Sequence, residues 1–239
     1  MKGIILAAGR GSRMGALTDN SPKALLTVRG QSLIDLQLSA FKNAGINDVT
    51  IVTGYLSEML RSYGTCQAHN SKWNQTNMVS SLLSVSSILS KHNCIVSYAD
   101  IFYKTSAIQD LKLDNRKIAI CYDPNWLDLW SRRFNDPIDD AENFKIDQNS
   151  FVTDIGRPIK NINDVDGQFM GITKYTPAGW SLVESILGSS NINDISNMDT
   201  TTLLRKLVAV YPGILGAVKY LDDWGEVDSM SDLILYNNE

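Results

Sequence analysis

The sequence contains few residues of the kind that build disulfide or zinc frameworks. Cys66, Cys94 and Cys121 are its three cysteines, and no CxxC pair occurs. Their odd number and wide spacing fit neither a disulfide framework nor a structural zinc site. The two histidines, His69 and His92, have no motif around them, and we expect both at the surface. We also expect the protein to work in a reducing compartment.

Long apolar runs are missing too. No stretch reaches the about 18 consecutive apolar residues that a membrane-spanning helix needs. The apolar letters IILAA after Met1 and Lys2 are too few for a signal peptide and lead into glycine-rich sequence. The sequence therefore predicts a cytoplasmic protein that does not enter the membrane.

The sequence also lacks an excess of basic residues. The chain has 22 Lys and Arg against 26 Asp and Glu, which gives a formal net charge of -4. Nucleic-acid binding depends on clustered Lys and Arg, so this balance argues against such a partner. A small soluble substrate is the better expectation.

What is present is the pattern of one large α/β domain of 239 residues. Short apolar runs and apolar residues at helical spacing alternate along it. The predicted strands are Lys2–Ala8, Val49–Thr53, Cys94–Tyr98, Ile118–Tyr122 and Val218–Leu221, and the predicted helices are Leu33–Ala44, Met78–Leu89, Thr176–Leu187 and Thr200–Val208. This alternation predicts a three-layer αβα domain with a mostly parallel, Rossmann-like sheet. We predict an insertion or lid that completes a pocket at about residues 123–175. Its strand-like pieces are Phe151–Ile155 and Gln168–Lys174.

The glycine-rich loop after the first predicted strand has the composition of a phosphate-binding site. Small residues let the backbone approach a ligand, so that successive N–H groups can contact phosphate oxygens. A hydroxyl, a guanidinium and an ammonium group add further donors. The candidate residues are Ala7, Ala8, Gly9, Gly11, Ser12, Arg13 and Lys23.

The loop has two alternative interpretations. Met14 occupies the place of the third glycine of GxGxxG, and the GKS or GKT ending of a P-loop is missing. Asp35 lies inside the first predicted helix, whereas a ribose-binding acid would end the second strand. A dinucleotide site and a purely structural turn remain the alternatives.

Three carboxylates are candidate metal ligands. Asp100 follows the strand CIVSYA, at the edge where parallel sheets place ligands. Glu226 and Asp228 in WGEVD are two residues apart and project from one face if the segment is extended. Close carboxylates repel unless a cation lies between them. A helix-capping Asp100 and a surface-exposed acidic pair are the alternatives.

The segment KGIILAAGRGSRM followed by SPKALL resembles the signature of the sugar-phosphate nucleotidyltransferase superfamily, LAAGxGxRM or LAAGxGxRL, a short spacer, then PK. The resemblance implies a nucleotide-diphospho-sugar transferase type of fold and an Mg²⁺-dependent enzyme. It implies that Leu6, Ala7, Ala8 and Gly9 hold base and ribose, that Gly11, Ser12 and Arg13 hold the phosphates, and that Lys23 contacts the triphosphate during attack. Lys23, Arg13 and Asp100 would be catalytic, and Asp100, Glu226 and Asp228 would hold the magnesium ion.

The stretches NQTNMVSSLLS, SYADIF and DAENFK resemble the branch with bacterial phosphocholine cytidylyltransferases, which implies CTP as the nucleotide. The Asn77 amide offers a donor and an acceptor to the cytosine edge, and Ser80 or Ser81 could assist. Asn77 could instead cap the helix that starts near Met78, and both roles are compatible.

The acceptor site is predicted from the segment after Asp123. Trp126 and Trp130 lie four apart near Asp123 and Asp128, and aromatic faces with an acid bind quaternary ammonium groups. Core packing is the alternative for both tryptophans. Arg133 or Arg132 could bind the acceptor phosphate, or the two could pair with acids at the surface: Asp136, Asp139 and Asp140.

A second acceptor motif is GRPIKNINDVDGQFMGI. The superfamily often places an acid, Lys and Pro here, followed by Gly. In this chain Gly156 replaces the acid and Arg157 stands where the Lys would be, so Lys160 competes with Arg157 for the acceptor phosphate. Gly171 fits the pattern. The missing acid argues against a hexose 1-phosphate as the acceptor.

Together these resemblances imply CMP transfer from CTP to a small phosphorylated acceptor, with release of pyrophosphate, for capsule or lipopolysaccharide modification. The acceptor would be phosphocholine-like, a phosphonate or a phosphoramidate. A sugar-1-phosphate nucleotidyltransferase is the alternative within the class. A GT-A-like glycosyltransferase would carry DxD where this chain has only YAD, and a non-catalytic nucleotide-binding protein would be expected to lose Lys23, Arg13 or Asp100.

Overall fold

A computed structural model describes residues 1–238 of the chain. Its strands are β1 (Lys2–Ala7), β2 (Thr27–Val28), β3 (Gln31–Ser32), β4 (Val49–Thr53), β5 (Cys66–His69), β6 (Cys94–Tyr98), β7 (Ile101–Tyr103), β8 (Ile118–Asp123), β9 (Glu142–Ile146), β10 (Val152–Pro158), β11 (Gln168–Tyr175), β12 (Leu215–Lys219) and β13 (Trp224–Glu226). Its helices are α1 (Leu33–Asn43), α2 (Met78–Leu83), α3 (Ser86–Leu89), α4 (Thr105–Leu113), α5 (Trp126–Arg133), α6 (Pro177–Gly188), α7 (Ile192–Asn197), α8 (Thr200–Val210) and α9 (Met230–Asn238). None of these helices is long and apolar enough to cross a membrane.

The core of the fold is a seven-stranded sheet with the order β12-β8-β11-β6-β1-β4-β5. Strand β1 pairs in parallel with β4 and β6, while β11 runs antiparallel to both of its neighbours, β6 and β8. The apolar run of β1 is buried because this strand lies inside the sheet with both faces covered. The predicted αβα fold with a mostly parallel sheet is confirmed.

Two predicted elements differ from the structure. The helix predicted over Met78–Leu89 is divided into α2 and α3, because the Ser84 hydroxyl donates to the Ser81 carbonyl at 2.6 Å and Val85 leaves the helical conformation. The strand predicted over Val218–Leu221 begins earlier, at Leu215, where β12 pairs with β8.

The segment predicted as an insertion contains two kinds of structure. Strands β9 and β10 form an antiparallel pair outside the central sheet, and α8 packs against β10. Strand β11, in contrast, lies in the sheet between β6 and β8. Only the first part of the predicted insertion therefore lies outside the central sheet. The sequence did not indicate this, because the pairing of β11 is long-range and is not visible in its own sequence.

Short strands bring the candidate acids together beyond the carboxyl end of β6. Strand β13 pairs antiparallel with β7, so that Glu226 lies opposite Ile101. The Val227 N–H also donates to the Asp100 carbonyl at 2.9 Å. The two acidic segments are thus fixed to each other through the backbone.

Candidate functional site

The loop after β1 is shaped around the side chain of Lys23. Gly11 has a φ of 71°, and a Cβ atom there would lie 2.9 Å from Cδ of Lys23. The Thr18 hydroxyl donates to the Gly11 carbonyl at 3.0 Å and closes the turn. Glycine is required at position 11 both for its backbone conformation and for space.

The Lys23 ammonium group lies between two carboxylates. It donates to Asp100 Oδ2 at 2.8 Å and to Asp228 Oδ1 at 2.7 Å, and Lys23 is only 8% exposed. Arg13 donates to the same Asp228 oxygen at 2.9 Å. Burial by itself lowers the pKa of Lys23, but the charges of Asp100 and Asp228 outweigh it and hold that pKa above its usual value. Lys23 therefore stays charged at neutral pH.

The three candidate metal ligands converge. Asp100, Glu226 and Asp228 each offer an oxygen, and these oxygens lie within 4.8 Å of one another. Oδ1 of Asp100 is buried without a hydrogen-bond partner in the protein. Burial raises the pKa of Glu226, and the charges of Asp228 and Asp100 raise it further. Carboxylate oxygens are the hard donors that Mg²⁺ prefers. One of these oxygens has no hydrogen-bond partner in the protein and the three acids repel one another, so their arrangement fits a divalent cation such as Mg²⁺.

Arg133 lies behind these acids. Its side chain has no exposed surface; Nε donates to Asp232 Oδ1 at 3.0 Å and Nη1 to Glu226 Oε2 at 3.3 Å. Another nitrogen lies 3.7 Å from Asp228. The sequence predicts a contact with the acceptor phosphate, whereas the structure gives Arg133 carboxylate partners. A direct contact with an acceptor stays a prediction.

Asp232 is a residue that the sequence analysis missed. Its carboxylate accepts hydrogen bonds from the backbone of Asp228 and Ser229, both at 2.9 Å, while the Ser229 hydroxyl accepts from the Asp232 N–H at 3.3 Å. This reciprocal pattern is a capping box, and the letters SMSD carry its signal. The partnership with Arg133, in contrast, has no local signal because the two residues are distant in sequence.

A first cavity of about 310 Å³ opens beside the glycine-rich loop. It is lined by Leu6, Ala7, Gly9, Gly11, Ser12, Arg13, Lys23, Ala24, Asn77, Met78, Tyr98, Ala99 and Asp100. Of the residues predicted to bind the nucleotide, Ala8, Ser80 and Ser81 are outside this lining. Asn77 lines the cavity and also caps α2, since its Oδ1 accepts from the Met78 N–H at 2.8 Å. Both interpretations of Asn77 are therefore geometrically compatible.

A second cavity of about 240 Å³ adjoins the first. It is lined by Arg13, Met78, Tyr98, Trp130, Asp140, Glu142, Gln168, Phe169, Asp199, Thr201, Glu226 and Asp228. Three of these residues, Arg13, Met78 and Tyr98, line both cavities. Gly171 has a φ of 78°, and a Cβ atom there would lie 2.6 Å from the Tyr98 ring. Gly171 thus leaves room for the aromatic ring between the cavities.

The other residues predicted to bind the acceptor occupy different places. Trp126 is buried and meets Trp130 edge to face with ring centroids 6.1 Å apart; only Trp130 lines the second cavity. Arg157 lies beside another cavity, where its Nε is 3.6 Å from Asp154. Lys160 is exposed. Their contacts with an acceptor stay predictions.

Comparisons with known proteins show which family the chain resembles. The profile of the MobA-like NTP transferase domain matches residues 3–139. CTP:phosphoglutamine cytidylyltransferase from Campylobacter jejuni is 33% identical, and the similarity covers 98% of each chain. Choline-phosphate cytidylyltransferase from Streptococcus pneumoniae is 36% identical over 115 residues, which are 46% of this chain and 50% of that protein.

The fold has a close counterpart among solved structures. The structure of CTP:phosphocholine cytidylyltransferase from Streptococcus pneumoniae matches with a TM-score of 0.77 and 22% identity, covering 99% of this chain and 97% of that chain. At this identity the likeness shows the fold alone. The nucleotidyltransferase resemblance carried by LAAGRGSRM and PKALL is confirmed by the family match and the full-length relative. The chain belongs to the MobA-like NTP transferase domain family.

Proposed function

We propose that the protein is an Mg²⁺-dependent cytidylyltransferase that transfers CMP from CTP to a small phosphorylated acceptor and releases pyrophosphate. One observation carries this proposal: two cavities share a wall, and the acids lie where they meet. Asp100 lines the first cavity, and Glu226 and Asp228 line the second. An arrangement of this kind suits two substrates that react with each other.

The relatives support the choice of substrates. The names of the Campylobacter jejuni and Streptococcus pneumoniae proteins specify cytidylyl transfer, with phosphoglutamine and choline phosphate as acceptors. In this chain the Asn77 amide lines the first cavity and can offer a donor and an acceptor to a cytosine. CTP is therefore the proposed donor.

The residues of the first cavity can hold a triphosphate. Gly9, Gly11 and Ser12 line this cavity, where backbone N–H groups and the Ser12 hydroxyl would donate to phosphate oxygens. Arg13 and Lys23 lie at the junction with the second cavity, where both contact Asp228. These two cations would stabilise the negative charge that develops at the α-phosphate and on the leaving pyrophosphate.

Asp100, Glu226 and Asp228 would hold the magnesium ion. When bound there, it would neutralise charge on the phosphate oxygens. The acceptor phosphate is already an anion, so the protein needs no general base to activate it. Catalysis then rests on positioning both substrates and on the fixed charges of Lys23 and Arg13. A cytoplasmic location and a role in capsule or lipopolysaccharide modification stay predictions.

A pyrophosphate-release assay tests this function. Each of the four NTPs is combined with Mg²⁺ and with phosphocholine, phosphoethanolamine, aminoethylphosphonate, a phosphoramidate such as phosphoglutamine, or a hexose 1-phosphate. We expect release with CTP and one or more of the non-sugar acceptors. Release only with a hexose 1-phosphate would favour the sugar nucleotidyltransferase alternative, and no release with any pair would refute the enzymatic proposal.

A further inference from the structure

Arg133 is a buried cation that connects three parts of the fold. It belongs to α5, and its side chain has no exposed surface. Each of its three guanidinium nitrogens faces a different carboxylate. Nε lies 3.0 Å from Asp232 Oδ1 on α9, Nη1 lies 3.3 Å from Glu226 Oε2 on β13, and Nη2 lies 3.7 Å from Asp228 Oδ2. A planar fork of donors can hold several carboxylates at fixed angles to one another.

The guanidinium group of Arg133 has little freedom to turn. Its central carbon lies 5.1 Å from the centre of the Trp130 ring and 5.0 Å from the centre of the Phe134 ring. Aromatic contacts of this kind attract the charge and also restrict the plane of the group. The acids that face Arg133 therefore meet a preformed set of donors.

Asp232 connects the same acids through the backbone. Its Oδ2 accepts from the Asp228 N–H at 2.9 Å, while its Oδ1 accepts from Arg133 Nε at 3.0 Å. Because Arg133 Nη2 also lies beside the Asp228 carboxylate, the contacts close a ring through three residues. Asp228 is thus held at its main chain and at its side chain by one pair of residues.

The pair lies behind the second cavity. Among the described residues that line the two cavities, neither Arg133 nor Asp232 occurs, and Asp232 is only 2% exposed. Glu226 and Asp228, in contrast, line the second cavity. The pair can therefore act on a ligand through the acids that it holds. Substitution of residues that orient metal ligands in this way typically weakens metal binding by about 10- to 100-fold.

We propose that Arg133 and Asp232 are positioning residues that hold Glu226 and Asp228 in the arrangement that binds a divalent cation. The oxygens of these acids and of Asp100 lie within 4.8 Å of one another, so the carboxylates repel. The Arg133 charge offsets part of that repulsion, and its fork fixes where the acids lie. The inference rests on the proposed function for the identity of the cation. It needs no contact between Arg133 and the acceptor.

Binding of Mn²⁺ alone tests the inference without any substrate. Mn²⁺ uses the same oxygen ligands as Mg²⁺, and electron paramagnetic resonance measures the free ion. Asp232→Asn keeps an acceptor for the Asp228 N–H but turns an amide N–H toward Arg133 Nε. Two donors then face each other, and the contact between α9 and Arg133 is lost. We expect the Mn²⁺ dissociation constant to rise about tenfold or more.

A second variant separates position from charge. Arg133→Lys keeps the positive charge, but one ammonium group cannot meet three carboxylates at the angles of the guanidinium fork. We expect Mn²⁺ binding to weaken here too, by about tenfold or more. If Arg133 supplied charge alone, the lysine variant would bind Mn²⁺ as the wild type does.

Asp114→Asn is the matched control. Asp114 also accepts from a guanidinium group, that of Arg116 at 2.8 Å, and is outside the lining of both cavities. It loses a carboxylate–guanidinium contact of the same kind, so a general loss of stability affects it as well. We expect its Mn²⁺ dissociation constant to stay within about twofold of wild type, because the two places are independent. Thermal unfolding gives the temperature below which each variant is folded, and the titrations are made there.

The outcomes separate this inference from the proposed function. If either site variant binds Mn²⁺ within about twofold of wild type, or if the wild type binds no Mn²⁺ with or without CTP, the inference is overturned. Failure of both variants to fold also overturns it, because the pair would then hold the fold as a whole.

Pyrophosphate release decides the remaining cases. If wild type and variants release pyrophosphate from CTP with the same Mg²⁺ concentration for half-maximal rate and bind Mn²⁺ equally, the proposed function stands and the inference fails. If Mn²⁺ binding weakens as expected but no pair of NTP and acceptor gives pyrophosphate, the positioning role stands and the proposed function fails.

Discussion

The two cavities are lined by different kinds of residues. Most residues that line the first come from one short part of the chain, Leu6 to Ala24, and several of these are small. The second is lined by charged, polar and aromatic residues from separate segments, among them Trp130, Asp140, Glu142, Gln168, Phe169, Asp199, Thr201 and Glu226. If the proposed function holds, shape and N–H groups would dominate recognition in the first cavity, and side-chain charge in the second. Such a division would let the acceptor change while the nucleotide chemistry stays the same.

Substitution of Lys23 should have the largest effect, because this residue serves the junction of the cavities. Lys23→Ala is expected to lower turnover by roughly a thousandfold or more, since it removes a preorganised cation from the transition state. Steady-state pyrophosphate release measures the change. Lys145→Ala, which removes a surface ion pair with Asp166, is the control and should stay near wild-type activity.

Thermal unfolding of the Lys23→Ala protein shows whether its fold is intact. Asp100→Ala is expected to have a comparable effect on turnover. If either variant keeps activity within about tenfold of wild type, its residue does not act on the reacting phosphates, and the proposed place of reaction between the two cavities is wrong.

Alanine substitutions at two glycines should distinguish the contribution of the first cavity from that of the region between the cavities. Gly11→Ala crowds Lys23 and is expected to raise KM for CTP by roughly tenfold or more, with a smaller effect on the acceptor KM. Gly171→Ala pushes the Tyr98 ring and is expected to raise both KM values, because that ring lines both cavities. Initial rates at varied CTP and acceptor concentrations give the two constants.

Gly213→Ala is the matched control for both glycine variants. Gly213 has a φ of 76° but nothing within 4 Å of an added Cβ atom. It should cost about 1 kcal/mol of stability through backbone strain and leave both KM values unchanged. Equal KM changes in the three alanine variants would mean that strain, and not crowding at the cavities, causes them.

The smallest effect on the site is expected from Asp114, which lines neither cavity. Burial opposes ionisation of Asp114, but its hydrogen bonds with Arg116 outweigh burial and lower the pKa below its usual 3.8. A lowered pKa contributes stability above pH 3.8 that is lost as the pH falls through the folded-state pKa. Asp114→Asn should therefore lower the free energy of unfolding by about 1 kcal/mol at neutral pH.

Urea unfolding of the Asp114→Asn protein across pH measures this contribution. The difference from wild type should shrink as the pH falls below 3.8, while both KM values at neutral pH stay unchanged. A difference that grows toward acid would contradict the assigned pKa direction.

The first cavity could largely be predicted from the sequence, because most of its residues lie between Leu6 and Ala24. The apolar run before Gly9 predicts a buried strand, and the small residues after it predict a close approach of backbone and ligand. Asp100, Glu226 and Asp228 were also recognisable, because the resemblance to the nucleotidyltransferase superfamily implies acids at these places; their spacing alone left a helix cap and a surface-exposed pair as alternatives. The structure brings these acids together through the pairing of β7 with β13.

The second cavity could not be predicted in this way. Asp140 and Glu142 are two residues apart, but Asp199 belongs to a distant segment, and no local pattern indicates that the three line one space. The position of β11 between β6 and β8 depends on long-range pairing, which its own sequence does not encode. Trp126 and Trp130 have helical spacing in either interpretation, so the pattern alone does not decide which ring is core and which lines the cavity.

We propose that both substrates meet at Asp100, Glu226 and Asp228 and react directly. The most direct measurement follows a heavy-oxygen label from the acceptor phosphate by phosphorus NMR, with CTP as the donor. Direct attack predicts label in the bridge between the two phosphorus atoms of the product, none in pyrophosphate, and one pyrophosphate for each acceptor converted. Pyrophosphate release without an acceptor, or a bridge that lacks the label, would contradict direct attack.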